Sequence, residues 1–184
     1  MSDVTRILER AQQGDPKAAD ELLELVYDEL RHLASAKMAQ QAPGQTLQPT
    51  ALVHEAWLRL VGDKNPTFRN STHFFAAAAE AMRHILIDRA RRKRAERHGG
   101  RFVRVEIDEF ELAAPSPDDE LLAVHEVLDA FSVQYPVQAE LVKLRYFAGM
   151  TNEEASQVLG ISLSTLNNYW NFSRAWLFKQ IRGK

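Results

Sequence analysis

The stretch TNEEASQVLGISLSTLNNYWNFSRAW, residues 151–176, decides the fold, because it predicts two helices separated by a short turn. A capping box opens the first helix at Thr151, Gly160 ends that helix, and Ser162 caps the second. Two helices joined by a turn of three or four residues form a helix-turn-helix, a common DNA-binding unit. The second helix has no cation before Arg174, so an ordinary helical hairpin is the competing interpretation.

Helical patterning extends over most of the chain outside this stretch. Apolar residues recur three or four positions apart, as on the buried face of an amphipathic helix. A first short helix is predicted to stop near Gly14, Thr50 to cap the helix ALVHEAWLRLVG, and Pro136 to break a later helix. A long helix is predicted from about Thr72 to Arg97. The predicted fold class is therefore all-α.

Residues 99–117 interrupt the helical pattern with glycine, proline and a mixture of apolar and acidic residues. We interpret this segment as a flexible linker between two small helical domains. The predicted domains are residues 1–98 and a helix-turn-helix domain of residues 118–184. No period of 20–50 residues repeats along the chain, which excludes a solenoid.

The charge distribution indicates a polyanionic partner. The formal net charge is only −2, yet the segment from Arg83 to Arg104 has nine cations against two acids. The rest of the chain has 14 cations against 23 acids. Arginine neutralises phosphate, and the aromatic residues between Phe68 and Phe75 can stack on unpaired bases. A plain solvated helix face is the alternative, and nucleic acid is the favoured partner.

The sequence offers no pattern for catalysis. It contains no cysteine, and no two of its six histidines lie three or four positions apart, so no helix presents a paired metal site. Phosphate-loop and nucleophile motifs are missing. The acidic pair Glu153 and Glu154 stabilises the N-terminus of a helix, and this explains the two carboxylates without a catalytic role. We therefore expect no enzyme activity, no metal and no cofactor.

The sequence also predicts a cytoplasmic protein without a membrane partner. Its N-terminus is charged from residue 3 and lacks the apolar region of a signal peptide. No apolar run approaches the roughly 18 residues that a membrane span needs.

Together these segments resemble the extracytoplasmic-function (ECF) sigma factors, a bacterial branch of the sigma-70 family. ALVHEAWLRLV resembles the helix that docks on core RNA polymerase, and FFAAAAEAMRHILIDRARRKRAERHGG resembles the helix that melts and reads the minus-ten promoter element. VKLRYFAGMTNEEASQVLGIS resembles the minus-thirty-five domain. The resemblance implies sigma region 2 and sigma region 4 domains on a linker, and a role in promoter-specific transcription initiation.

The resemblance implies three sets of contact residues. The polymerase clamp helices would meet His54, Glu55 and Arg59. The minus-ten element would meet Phe68, Arg69, Asn70, Ser71, Arg83, His84, Asp88, Arg91 and Arg92. The minus-thirty-five element would meet Ser162, Ser164, Thr165, Asn167, Asn168, Asn171 and Arg174. Within the minus-ten set, the loop from Asp63 to Thr72 would capture a flipped base, and Arg69 and Asn70 are the best candidates for that capture.

This sequence departs from the family pattern at two places. His84 stands where many members have asparagine. In the last helix the positions where members usually have lysine or arginine are occupied by Asn167, Asn168, Tyr169 and Asn171, which should lower phosphate affinity. Asparagine can still read adenine with two hydrogen bonds, and the polymerase would tether this domain near its site.

The implied partners are core RNA polymerase, through its clamp helices and flap, promoter DNA, and an anti-sigma factor. Two alternatives stay open at this point. One is a sigma-like adaptor that binds an anti-sigma factor or polymerase without promoter contact. The other is a free-standing helix-turn-helix regulator, which would have no need of ALVHEAWLRLV followed by a melting loop.

Overall fold

The computed structural model describes residues 3–39, 48–61, 68, 70–99 and 117–183, and these residues form helices joined by short turns. The helices are α1 (Asp3–Gln12), α2 (Ala18–Ala39), α3 (Pro49–Val61), α4 (Ser71–Gly99), α5 (Pro117–Gln134), α6 (Pro136–Val142), α7 (Asn152–Leu159) and α8 (Leu163–Arg182). A π-helical turn, Lys143–Phe147, continues α6. No strand occurs in the described residues, and the predicted all-α fold class is confirmed.

The helix-turn-helix forms through the local signals that the sequence predicted. The Thr151 hydroxyl accepts a hydrogen bond from the Glu154 amide at 3.2 Å, and the Glu154 carboxylate accepts one from the Thr151 amide at 2.7 Å. Gly160 ends α7 with a φ of 65°, in the left-handed region that favours glycine. The Ser162 hydroxyl then accepts from the Thr165 amide at 3.1 Å and caps α8.

Two other boundary predictions have different outcomes. Pro136 does separate α5 from α6, as predicted. The predicted cap at Thr50 is wrong, because α3 begins one residue earlier at Pro49 and the amide of Leu52 bonds to the carbonyl of Gln48. Proline suits the first helical position, since its fixed φ is helical and it has no amide hydrogen to satisfy.

The helices of the N-terminal half pack around α4. Phe74 and Met82 of α4 are fully buried, and so is Leu52 of α3. Between these large side chains, Ala78 and Ala79 let neighbouring helices approach closely. Phe68 is also buried and packs edge-on against Phe74, with ring centroids 5.1 Å apart.

The C-terminal half has an aromatic centre on α5. Phe131 is fully buried, and its ring centroid lies 4.8 Å from that of Trp176 on α8 and 5.3 Å from that of Tyr135. Leu166, at the start of α8, is also fully buried. This packing holds α8 against α5 and α6 and leaves its other side exposed.

The two halves meet along α4. Helix α5, the π-helical turn and α7 all contact α4, and buried residues of both halves form one continuous apolar cluster. The predicted linker covers residues 99–117, of which Gly99 ends α4 and Pro117 begins α5, and residues 100–116 lie outside the described part of the chain. The division into two domains therefore stays a prediction.

Candidate nucleic-acid and polymerase interface

As far as the structure describes it, the basic run predicted from sequence occupies the C-terminal half of α4, and its exposed cations lie away from the buried face. Ile85, Leu86 and Ala90 are buried and anchor that face to the core. Arg91 and Arg92, which the resemblance assigns to the DNA backbone, are both exposed. They are placed where they can contact phosphate without any rearrangement of the helix.

Arg83, another residue of the predicted minus-ten set, lies inside the molecule with only 2% of its surface exposed. Its guanidinium donates to Asp129 Oδ1 at 2.7 Å and to Glu80 Oε1 at 3.0 Å. Its Nε donates to His125 Nδ1 at 3.1 Å. Its neighbour His84 is exposed, 3.3 Å from Glu80. In this arrangement, Arg83 holds α5 rather than facing solvent.

The predicted polymerase set and the predicted minus-ten set meet between α3 and α4. Arg59 Nη2 lies 3.4 Å from the carboxylate of Asp88 and 3.3 Å from that of Glu55. His54 is exposed on the same helix, and Leu58 is 56% exposed although it is apolar. The outer side of α3 therefore combines a histidine, an ion-paired arginine and an exposed leucine.

Residues just before α4 and at its start have structural roles that the sequence analysis did not assign. The Asn70 side chain accepts a hydrogen bond from the His73 amide at 2.8 Å and so caps α4. Ser71 is half-buried. Phe68 is buried against Phe74 and His73, so its ring is covered by protein. Arg69 and residues 62–67 of the predicted base-capture loop lie outside the described residues.

The outer side of α8 presents the polar residues predicted to meet the minus-thirty-five element. The exposed members of that set are Ser162, Ser164, Asn167, Asn168, Asn171 and Arg174. Thr165 is half-buried, and its hydroxyl accepts a hydrogen bond from Ser162. Asn167 Oδ1 accepts from Asn152 Nδ2 on α7 at 3.2 Å, which links the two helices of the motif.

Arg145 is a cation beside α8 that sequence reasoning missed. It belongs to the π-helical turn, and its guanidinium carbon lies 4.0 Å from the ring centroid of Trp170. Burial, together with the nearby charge of Arg174, lowers the pKa of Arg145. Arg145 and Arg174 therefore place two cations close together, although α8 itself has few cations. No local sequence pattern predicts this, because Arg145 and Trp170 belong to different elements.

Two kinds of site are missing from the described part of the chain. No group of three His, Cys, Asp or Glu side chains there is arranged to hold a metal ion. None of the helices in those ranges combines the length and the apolar character that a membrane crossing needs. The features that stand out are thus the cations of α4, the outer side of α3 and the polar side of α8.

The comparisons with known proteins agree with these features. No curated protein shows significant similarity to the chain. A protein-family model described as ECF sigma factor matches residues 1–183. Since that match covers essentially the whole chain, the protein belongs to the ECF sigma factor family and is a sigma factor that directs transcription initiation.

Proposed function

We propose that this sigma factor binds core RNA polymerase and carries it to a subset of promoters, where it melts the minus-ten element. The observation that carries this proposal is the row of exposed cations on α4, Arg91, Arg92 and Arg94, on a helix whose opposite face is buried. A rigid helix presenting several arginines can hold a phosphate backbone in a fixed register. The protein acts in the cytoplasm and has no catalytic role of its own.

Melting requires compensation for lost base pairing and stacking. Extruding a base costs a few kcal/mol, which contacts to the opened strand must offset. The cations of α4 supply the backbone contacts, and the segment just before α4 supplies the base contacts. In this proposal Asn70 has two roles: it caps α4, and its exposed position lets it meet a flipped base.

Polymerase docking is assigned to the outer side of α3. Leu58 provides exposed apolar surface, and His54 and Arg59 provide polar groups beside it. An apolar centre with a polar rim is the usual composition of a protein–protein interface. The ion pair of Arg59 with Asp88 links this side of α3 to α4, and the pair with Glu55 lies within α3 itself.

Recognition of the minus-thirty-five element is assigned to α8. Asn167, Asn168 and Asn171 are exposed and can pair with base edges, and Arg145 and Arg174 add positive charge nearby. Each bidentate asparagine–adenine contact contributes roughly 1–3 kcal/mol of discrimination. Tethering by polymerase raises the effective concentration of α8 at its site, which offsets its low charge. An anti-sigma factor is a further proposed partner.

The experiment that tests this function is run-off transcription. Purified core polymerase is assayed with and without the protein over a library of promoter fragments. We expect discrete transcripts that appear only with the protein and that share sequence elements upstream of the start. If the protein binds core polymerase but yields no promoter-specific transcript, the adaptor alternative replaces this proposal.

A further inference from the structure

The two helices of the helix-turn-helix are joined by a hydrogen bond between two side-chain amides. Asn152, the first residue of α7, donates from Nδ2 to Oδ1 of Asn167 on α8 at 3.2 Å. The two residues are 15 positions apart in the chain. Asn167 is exposed and Asn152 is half-buried, so the bond lies at the surface where α7 meets α8.

The backbone positions of the two asparagines are set by structure outside their own side chains. The caps described above fix where α7 and α8 begin. Ala155 on α7 and Leu166 on α8 are fully buried, and the two helices pack on each other. The small side chain of Ala155 lets the helices approach closely. The amide–amide bond therefore forms between two backbones that are already held in place.

The bond gives the Asn167 amide a definite orientation. An asparagine amide has an acceptor at Oδ1 and two donor hydrogens at Nδ2. Asn152 Oδ1 is buried and has no hydrogen-bond partner in the described part of the chain, so Nδ2 is the end that Asn152 turns to α8. Asn167 consequently directs Oδ1 toward α7. Its Nδ2 donors are the end left for another molecule.

This orientation changes which base Asn167 can read. A bidentate contact with adenine needs both ends of the amide on one base, with Oδ1 accepting from N6 and Nδ2 donating to N7. Asn167 cannot present both ends together while its Oδ1 is held by α7. A donor alone suits a major-groove edge that presents acceptors, namely O6 and N7 of guanine or O4 of thymine.

We propose that Asn152 is a positioning residue for base recognition, and that it makes Asn167 a hydrogen-bond donor that reads guanine or thymine rather than adenine. The inference rests on the proposed function of α8 in reading the minus-thirty-five element, although the orientation of the amide can be tested without DNA. Asn168 and Asn171 are exposed on the same helix and keep the adenine contacts assigned to α8 above.

The first test measures the orientation in the free protein. Nuclear magnetic resonance of isotope-labelled protein gives the rate at which the Asn152 side-chain amide exchanges with water. Asn167→Ala removes the acceptor and should speed this exchange about fivefold, the factor expected for one lost hydrogen bond. Asn167→Asp keeps an acceptor opposite Asn152 and should leave the exchange slow. If Asn167→Asp speeds exchange as much as Asn167→Ala does, Asn152 is not the donor and the inference is overturned.

The second test measures base preference by binding-site selection with reconstituted holoenzyme. The position read by Asn167 is the one whose preference disappears in Asn167→Ala. There the parent should favour guanine or thymine over adenine by about fivefold, the ratio expected for one hydrogen bond. A parent that favours adenine at that position contradicts the inference, and so does Asn167→Ala if it changes no position.

Asn152→Asp provides a reversal of this preference. Aspartate has nearly the same shape as asparagine but, when ionised, offers only acceptors. It should therefore turn the Asn167 amide over, so that Oδ1 faces the base. Preference should move to adenine or cytosine, whose major-groove edges present an amino donor. An unchanged preference in Asn152→Asp would show that Asn152 does not orient Asn167.

Two controls separate orientation from charge. Gln157→Glu adds the same charge on the exposed side of α7 and should leave base preference unchanged. Asn152→Asp combined with Asn167→Ala should have the preference of Asn167→Ala alone, because Asn152 acts only through Asn167. A further shift in that double variant would refute the positioning role. If run-off transcription yields no promoter-specific transcript, the proposed function fails and the base-reading role fails with it, while the exchange measurement still decides the amide orientation.

Discussion

The exposed arginines of α4 lead to a quantitative prediction about salt. We expect the double variant Arg91→Ala, Arg92→Ala to bind promoter DNA with a weaker dependence on salt than the parent when assayed with polymerase. Each phosphate contact contributes roughly 0.9 to the log–log salt slope on duplex DNA and roughly 0.7 on a single strand. Losing two contacts should therefore reduce the magnitude of the slope by roughly 1.4–1.8.

The structure makes this variant suitable for the measurement. Both side chains are exposed, so alanine leaves no cavity, and alanine has the highest helix propensity. The contact of Arg91 with His125 is long, at 3.4 Å, so little of the packing between the halves is lost with it. The fold of α4 should therefore survive, and a change in DNA binding would report on phosphate contacts.

The assay is fluorescence anisotropy of a labelled promoter fragment titrated with reconstituted holoenzyme at several salt concentrations. Between 50 and 200 mM salt, the parent should lose about tenfold more affinity than the double variant, as follows from the slope difference. Arg6→Ala with Arg31→Ala removes the same formal charge from exposed positions on α1 and α2 and is the matched control. Equal slopes for all three proteins would refute the assignment of α4 to the DNA backbone.

Three further predictions concern the turn, the contact between the halves, and base reading. Gly160→Ala forces a side chain into a left-handed φ of 65° and should destabilise the protein by about 1–2 kcal/mol in thermal unfolding, whereas Gln157→Ala on the exposed side of α7 should have little effect. His125 has a pKa lowered by burial and by Arg83, with Arg91 and His84 acting in the same direction and Asp129 opposing them. Because packing of α5 on α4 resists protonation of His125, the stability that this packing contributes should be complete above about pH 6.5 and be lost as the pH falls through the lowered pKa. Thermal unfolding at a series of pH values would show this loss, and His125→Gln should abolish it. Asn168→Ala should change base preference in the upstream element by roughly 1–3 kcal/mol in a binding-site selection, and unchanged preference would remove α8 as a base reader.

The sequence alone predicted the class of fold and the local construction of the helix-turn-helix. The capping box at Thr151, the left-handed Gly160 and the cap at Ser162 all form as predicted. These signals depend on atoms within about four residues of one another, so they are present in the sequence whatever the rest of the chain does. The same holds for the density of cations on α4, which the sequence displays directly. The prediction that Thr50 caps α3 was wrong, because proline is favoured at the first helical position and Pro49 therefore begins the helix.

Only the tertiary structure decided which of these side chains face solvent and which face another helix. Arg83 meets His125 from 42 positions away, and Arg59 meets Asp88 from 29 positions away. Phe68 is buried in the core, although the sequence predicted a contact with a base. Arg145 lies over Trp170 and adds a cation beside α8, which has few cations of its own. Contacts across such separations depend on how complete helices pack, and helical periodicity shows only that a residue lies on a given face. It does not show what covers that face.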